Sequence, residues 1–119
     1  MSTVIIAIGS DYLQAAHVEW ASQRLTRLLD DIRLSRKLWT EDVRHPGRYY
    51  QNRLCLGHTT LSAPALVSLL KTIEAETQRT PGRVTIDLDL LQYDSHKYHH
   101  QDWPRPYVQQ LLTDILSAH

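Results

Sequence analysis

Asp87 and Asp89 stand one residue apart in the segment Thr85-Ile86-Asp87-Leu88-Asp89-Leu90-Leu91. In an extended strand, side chains two residues apart project from one face, with Cα atoms about 6.6 Å from each other. Two carboxylates held side by side repel, and a hard divalent cation with oxygen ligands offsets that repulsion best. Magnesium suits the pair, because it commonly takes one or two carboxylates and completes its shell with water and substrate phosphates. The same alternation also describes the solvated face of an antiparallel sheet, and spacing alone leaves both readings open.

Other residues could serve the same site. Trp39, Tyr50, Trp103 and Tyr107 fall near loop or strand ends, where an aromatic ring can stack on a flat heterocycle, although such rings more often only pack the core or its rim. Arg83, Lys97 and Arg105 flank the acidic strand and the polar segment after it, so they could neutralise phosphate oxygens. His96, His99 and His100 match no structural zinc spacing and have no cysteine beside them. Gly9-Ser10-Asp11 precedes a helix start, which favours anions, but it lacks the glycine pattern of a P-loop or a dinucleotide site. Cys55 is the only cysteine and sits in an apolar stretch, so it reads as a small buried side chain.

Positioning these groups requires a sheet. Thr3 to Ile8 is a continuous, β-branched apolar run, the pattern of a buried strand. Val18, Ala21, Leu25, Leu28, Leu29 and Ile32 recur at spacings of three and four and predict a helix from about Tyr12 to Ile32. Leu34 to Thr40 is a weaker strand, and Glu41 to Arg48, with His45-Pro46-Gly47, has the chemistry of an exposed loop. Tyr50 to Thr60 reads as a third strand, with Asn52, Leu54, Leu56 and His58 on one face and Gln51, Arg53, Cys55 and Gly57 on the other. Ser62 caps a second helix carrying Leu66, Leu69, Leu70 and Ile73, which Thr80-Pro81-Gly82 ends. Val84 to Leu91 is a fourth strand. Tyr93 to Arg105 is polar, and Val108, Leu111, Leu112 and Ile115 define a short terminal helix. The order β-α-β-β-α-β-α predicts an α+β fold: a ferredoxin-like four-stranded antiparallel sheet, two helices on one face, a short C-terminal helix, and a second face free for a ligand.

Length and composition bound the function. At 119 residues the chain suits a single domain spanning 1–119. Hydrophobic residues at 42% and charged residues at 22% are ordinary globular usage, which argues against disorder. Thirteen Lys and Arg balance thirteen Asp and Glu, so the broad positive field of a nucleic-acid binder is missing. No apolar run approaches the roughly 20 residues of a membrane span, and no basic flank marks a signal peptide. The expectation is a cytoplasmic protein, a monomer or weak homodimer, with neither nucleic-acid nor membrane partners.

Taken in order, these segments resemble the 6-hydroxymethyl-7,8-dihydropterin pyrophosphokinase family of folate biosynthesis. The matching pieces are Ile6-Ala7-Ile8-Gly9-Ser10, Tyr50-Gln51-Asn52, Leu61, Pro64, Leu69-Leu70, Ile73-Glu74, the segment from Thr85 to Leu91, and His99 with Arg105 and Tyr107. The resemblance implies transfer of pyrophosphate from ATP to 6-hydroxymethyl-7,8-dihydropterin, with AMP as the other product. It implies two Mg2+ ions with ATP at Asp87 and Asp89. By the same carry-over Tyr50, Asn52, Tyr107 and Thr40 would bind the pterin, His99, Arg105 and Glu74 would bind ATP, and Arg83 would join the aspartates in catalysis. The chain departs from the family where a longer basic loop is usual before the aspartates: only Gln78 to Thr85 remain, with Val84 in an arginine's place. A divergent homologue that binds a pterin or nucleotide with little transfer, and a ferredoxin-like interaction module, are the competing readings.

Overall fold

The protein is described by a computed structural model covering residues 1–78 and 81–116. Its centre is β1 (Ser2–Ser10), whose apolar run is buried as the sequence requires. β1 pairs antiparallel with β4 (Tyr49–Thr59) on one side and with β5 (Asp87–Tyr93) on the other. Helix α1 (Gln14–Leu28) buries Val18, Ala21 and Leu25, and α2 (Ala63–Ala75) buries Leu66, Leu70 and Ile73. Both cover one face of the sheet, against Val4, Ile6, Ile8, Cys55, Ile86, Leu88 and Leu90. Ser62 caps α2, its hydroxyl accepting from the Ala65 N–H at 3.3 Å, with Pro64 in the first turn.

The α+β class agrees with the sequence, but the sheet has six antiparallel strands where four are expected. Their order is β2-β4-β1-β5-β6, with β3 also beside β4. Two local effects add the strands. Where one strand from Leu34 to Thr40 is expected there are two, β2 (Asp30–Leu34), which begins inside the expected helix, and β3 (Leu38–Glu41), and they pair in turn with one edge of β4. Ser35 makes the break: its hydroxyl accepts the Leu54 N–H at 2.8 Å while its C=O accepts Arg53 Nε at 2.7 Å. A side chain has taken a ladder position, and the strand restarts beyond it. At the other edge, β5 turns at Asp94 (φ 52°) into β6 (His96–Lys97), inside the segment from Tyr93 to Arg105 read only as polar.

Boundaries differ for related reasons. The first helix stops at Leu28 instead of Ile32, because Leu29 is extended (φ −112°, ψ 152°) and Asp30 opens β2. Leu29 and Ile32 still reach the core, from a strand entry that happens to continue the helical spacing. Gly57 permits this, since a Cβ there would lie 2.9 Å from the Leu29 Cβ. The fourth strand begins at Asp87 instead of Val84. Residues 84–85 are held by Ser10 and Asp11: the Val84 N–H donates to Asp11 Oδ1 at 2.7 Å, the Asp11 backbone N–H donates to the Val84 C=O at 2.9 Å, and Ser10 Oγ donates to the Thr85 C=O at 2.6 Å. The second helix ends at Ala75, before the expected stop, of which Thr80 lies outside the described residues.

The second face is not wholly free. Helix α3 (Pro106–Leu116) lays Val108, Leu111, Leu112 and Ile115 over Ile5, Leu54 and Leu91. It covers one end of that face and leaves the end bearing Gly9, Asn52 and Asp87 open. No helix among the described residues is long and apolar enough to cross a membrane.

Candidate active site

Strand register builds the site floor. Asn52, Gly9 and Asp87 are direct neighbours across β4, β1 and β5, and Leu54, Ala7 and Asp89 form the next row. Ile86 and Leu88 face the helices, so Asp87 and Asp89 face the open side. The β1 positions in these rows, Gly9 and Ala7, carry almost no side chain, which leaves the floor low. A Cβ on Gly9 would stand 3.5 Å from Asn52 Oδ1 and 3.7 Å from the Tyr50 ring, filling the space those groups border.

Above this floor is a cavity of about 530 Å³. Thr40, Tyr50, Asn52 and Tyr107 line it together with Asp87, Asp89, Arg83 and Arg105. Asn52 Nδ2 donates to Thr40 Oγ1 at 2.7 Å, so the amide is oriented and its carbonyl oxygen remains an acceptor. Burial, and then the carboxylates of Asp11, Asp42 and Asp87, push the Tyr50 hydroxyl above its ordinary value. Burial, followed by Asp102, does the same for Tyr107. Both phenols are neutral rings at physiological pH.

Burial also raises the Asp89 carboxyl above the usual aspartate range, with the charge of Asp87 next in size and that of Asp102 adding to it. His99 opposes this from 4.0 Å, Nε2 to Asp89 Oδ1. Its ring thus faces Asp89, although His99 is not among the residues lining the cavity. Glu74 is also outside the lining. Its Oε2 accepts the Leu88 N–H at 2.7 Å, gripping the backbone between the two aspartates from the α2 side. Arg105 Nε lies 3.4 Å from Asp102 Oδ1, and the Arg83 guanidinium stands 5.2 Å from the centre of the Tyr12 ring.

Two half-buried carboxylates on one face are the donor set a hard cation prefers, and their mutual repulsion is what such a cation would relieve. Among the described residues no group of three or more His, Cys, Asp or Glu side chains is arranged to hold a metal. A cation held by Asp87 and Asp89 would complete its shell with water or ligand oxygens, the way Mg2+ commonly binds beside a polyphosphate.

Several sequence candidates lie elsewhere. Trp39 is 56% exposed and borders a separate recess, while Trp103 packs beside α3 with Lys97 Nζ 4.6 Å from its ring centre. His96 packs edge-on against Tyr98. Cys55 is fully buried and its thiol is pushed up to about 12, mainly by that burial. Conversely, Asp11, Asp42, Arg44, Arg48 and Asp102 line the cavity without having stood out in the sequence. Four of them come from the β3–β4 loop and the segment before α3, where no period marks a site residue; only Asp11 carried a signal, through its place after Gly9-Ser10.

Fold and cavity together define a small α+β protein in which paired carboxylates face aromatic rings across one open sheet end. Residues 5–117 match the family model for 7,8-dihydro-6-hydroxymethylpterin-pyrophosphokinase (HPPK), and the chain belongs to that family. Membership implies a pyrophosphokinase of folate synthesis, a class that uses ATP, Mg2+ and a pterin substrate. No individual curated protein matches the chain.

Proposed function

We propose that this chain transfers the β,γ-pyrophosphoryl group of ATP to 6-hydroxymethyl-7,8-dihydropterin, on a ferredoxin-like core formed by β2, β4, β1 and β5. The observation that carries the reading is the meeting of Asp87 and Asp89 with Tyr50, Asn52 and Tyr107 around one cavity. The pterin's hydroxymethyl oxygen bonds to the β-phosphorus, the bond from that phosphorus to the α-phosphate's bridging oxygen breaks, and AMP leaves as the hydroxymethyl proton is released.

Each residue has a role that its setting supports. Tyr50 and Tyr107, neutral and half-buried, stack on the two faces of the pterin. Asn52, oriented by Thr40, bonds the polar edge of the heterocycle. Arg105, Arg83 and His99 neutralise the triphosphate, and Glu74 serves ATP by holding the aspartate strand in place. Asp87 and Asp89 hold Mg2+, which when bound supplies charge neutralisation at the phosphoryl oxygens. Catalysis then lies mainly in positioning the hydroxymethyl oxygen and in stabilising charge on the transferred group.

Incubation of the protein with ATP, Mg2+ and the hydroxymethyl dihydropterin, with AMP measured by chromatography, tests the reading. AMP that depends on the pterin is expected, with its loss in Asp87→Asn combined with Asp89→Asn. No AMP at high protein concentration would sink the transfer reaction. A chain that then binds the pterin with normal affinity is the divergent, non-transferring homologue, which the valine at position 84 favours.

A further inference from the structure

Four arginines line the cavity: Arg44, Arg48, Arg83 and Arg105. Arg105 is close to Asp102, and Arg83 lies over Tyr12. Arg48, at the end of the β3–β4 loop, is held differently. Its Nη1 donates to the Gly82 C=O at 2.8 Å, across the cavity mouth. Its own backbone closes the loop, the C=O accepting the Asp42 N–H at 2.8 Å and the N–H donating to the His45 C=O at 3.0 Å. Among the described residues no carboxylate forms an ion pair with it. A bond to a neutral carbonyl fixes the guanidinium without cancelling its charge, and one bond leaves most of its five N–H donors available.

We propose that Arg48 is a phosphate-binding residue, through which the β3–β4 loop contributes a cation to the nucleotide side of the cavity; this rests on the transfer reading above. A half-buried, pre-oriented charge in the cavity that also holds the Asp87 and Asp89 pair, the proposed metal site, suits a ligand with several negative oxygens. The pterin is an uncharged heterocycle and has no use for a full charge at this point. The same bond ties the loop that carries Thr40's neighbours to residues 82–85, the segment leading into Asp87.

Steady-state kinetics on the full chain, with AMP as the readout, compare Arg48→Gln and Arg48→Lys with the unaltered protein. Glutamine keeps an N–H for Gly82 but no charge. It is expected to raise KM for ATP at least about tenfold while KM for the pterin stays within about twofold. Lysine is expected to lie nearer the unaltered protein than glutamine does. An unchanged KM for ATP, a rise confined to the pterin, or equal behaviour of the two variants would overturn the proposal and leave Arg48 as a loop tie only. If the unaltered protein forms no AMP, the transfer reading fails by itself. Calorimetric titration with inorganic tripolyphosphate then decides Arg48: binding weakened at least about tenfold in Arg48→Gln supports it, and equal or absent binding in both proteins overturns it.

Discussion

Asp89→Asn should stabilise the protein in the absence of divalent metal. Burial and the neighbouring Asp87 both disfavour the Asp89 anion, and asparagine removes that charge at almost constant shape. Two unit charges about 6.6 Å apart repel by about 2.5 kcal/mol at an effective dielectric of 20, and by about 0.6 kcal/mol in bulk water. The Asp89 side chain is 35% exposed, so solvent screening brings the gain toward the lower end, about 1 kcal/mol. For a chain of this length that corresponds to a melting temperature higher by about 4 °C. The pH dependence has a defined sign. Because the folded-state value is raised, ionisation of Asp89 costs stability, and the cost grows as pH climbs from the ordinary aspartate value through the folded one. The advantage of asparagine should therefore be full at neutral pH and vanish in acid, below about 3.8. With Mg2+ and a non-hydrolysable ATP analogue the order should reverse, since only the unaltered protein gains binding energy. Thermal unfolding followed by circular dichroism, with and without metal, reads all three effects. A variant that melts at or below the unaltered protein at pH 7 without metal, or whose advantage persists at acid pH, refutes the like-charge reasoning.

Three further outcomes follow from single contacts. Tyr107→Ala should weaken pterin binding about three- to tenfold, the worth of one aromatic stack, in a fluorescence titration, while the affinity for an ATP analogue changes little. Glu74→Ala orphans the Leu88 N–H and should destabilise the fold by about 1–3 kcal/mol in urea unfolding, whereas Glu74→Gln keeps an acceptor and should cost less; equal losses would remove the grip on the aspartate strand. Cys55, buried with its thiol pushed up to about 12, should resist a thiol reagent at pH 8 and react on addition of denaturant, so rapid labelling of the native protein would contradict its packing.

What was legible in the sequence is what periodicity reports. Alternation in residues 84–91 put Asp87 and Asp89 on the face away from the helices, and the split faces of β4 put Asn52 with Leu54 and opposite Cys55. The class, the central strands and the three helices follow from such patterns. Periodicity cannot show a side chain taking the place of a backbone partner. Ser35 breaks a strand that looked continuous, and Leu29 keeps the helical spacing after the helix has ended. Nor does period 3.6 say which sheet face a terminal helix will cover, so the closing of half the second face by α3 had no sequence signal beyond its apolar stripe. The cavity's loop residues were hidden for the same reason: Arg48 and Asp102 reach the site through turns, and nothing in their spacing distinguishes them from solvated charges.

The strand bearing the aspartates is secured by side chains at the points where the ladder does not reach. Ser10 holds the Thr85 carbonyl, Asp11 accepts the Val84 N–H, and Glu74 accepts the Leu88 N–H. Two of these three anchors are acidic, one before the aspartate pair at Val84 and one between its members at Leu88. Their hydrogen bonds satisfy the backbone and add carboxylates near Asp87 and Asp89, so an anionic polyphosphate bound there would need cations beside it. Metal held at Asp87 and Asp89, as proposed above, would supply part of that compensation. The remainder would have to come from outside the strand, and Arg44, Arg48, Arg83 and Arg105 border the cavity from segments outside the described helices and strands. Affinity for nucleotide in this chain should accordingly depend more on the loop arginines than on any residue of the sheet other than the aspartates themselves.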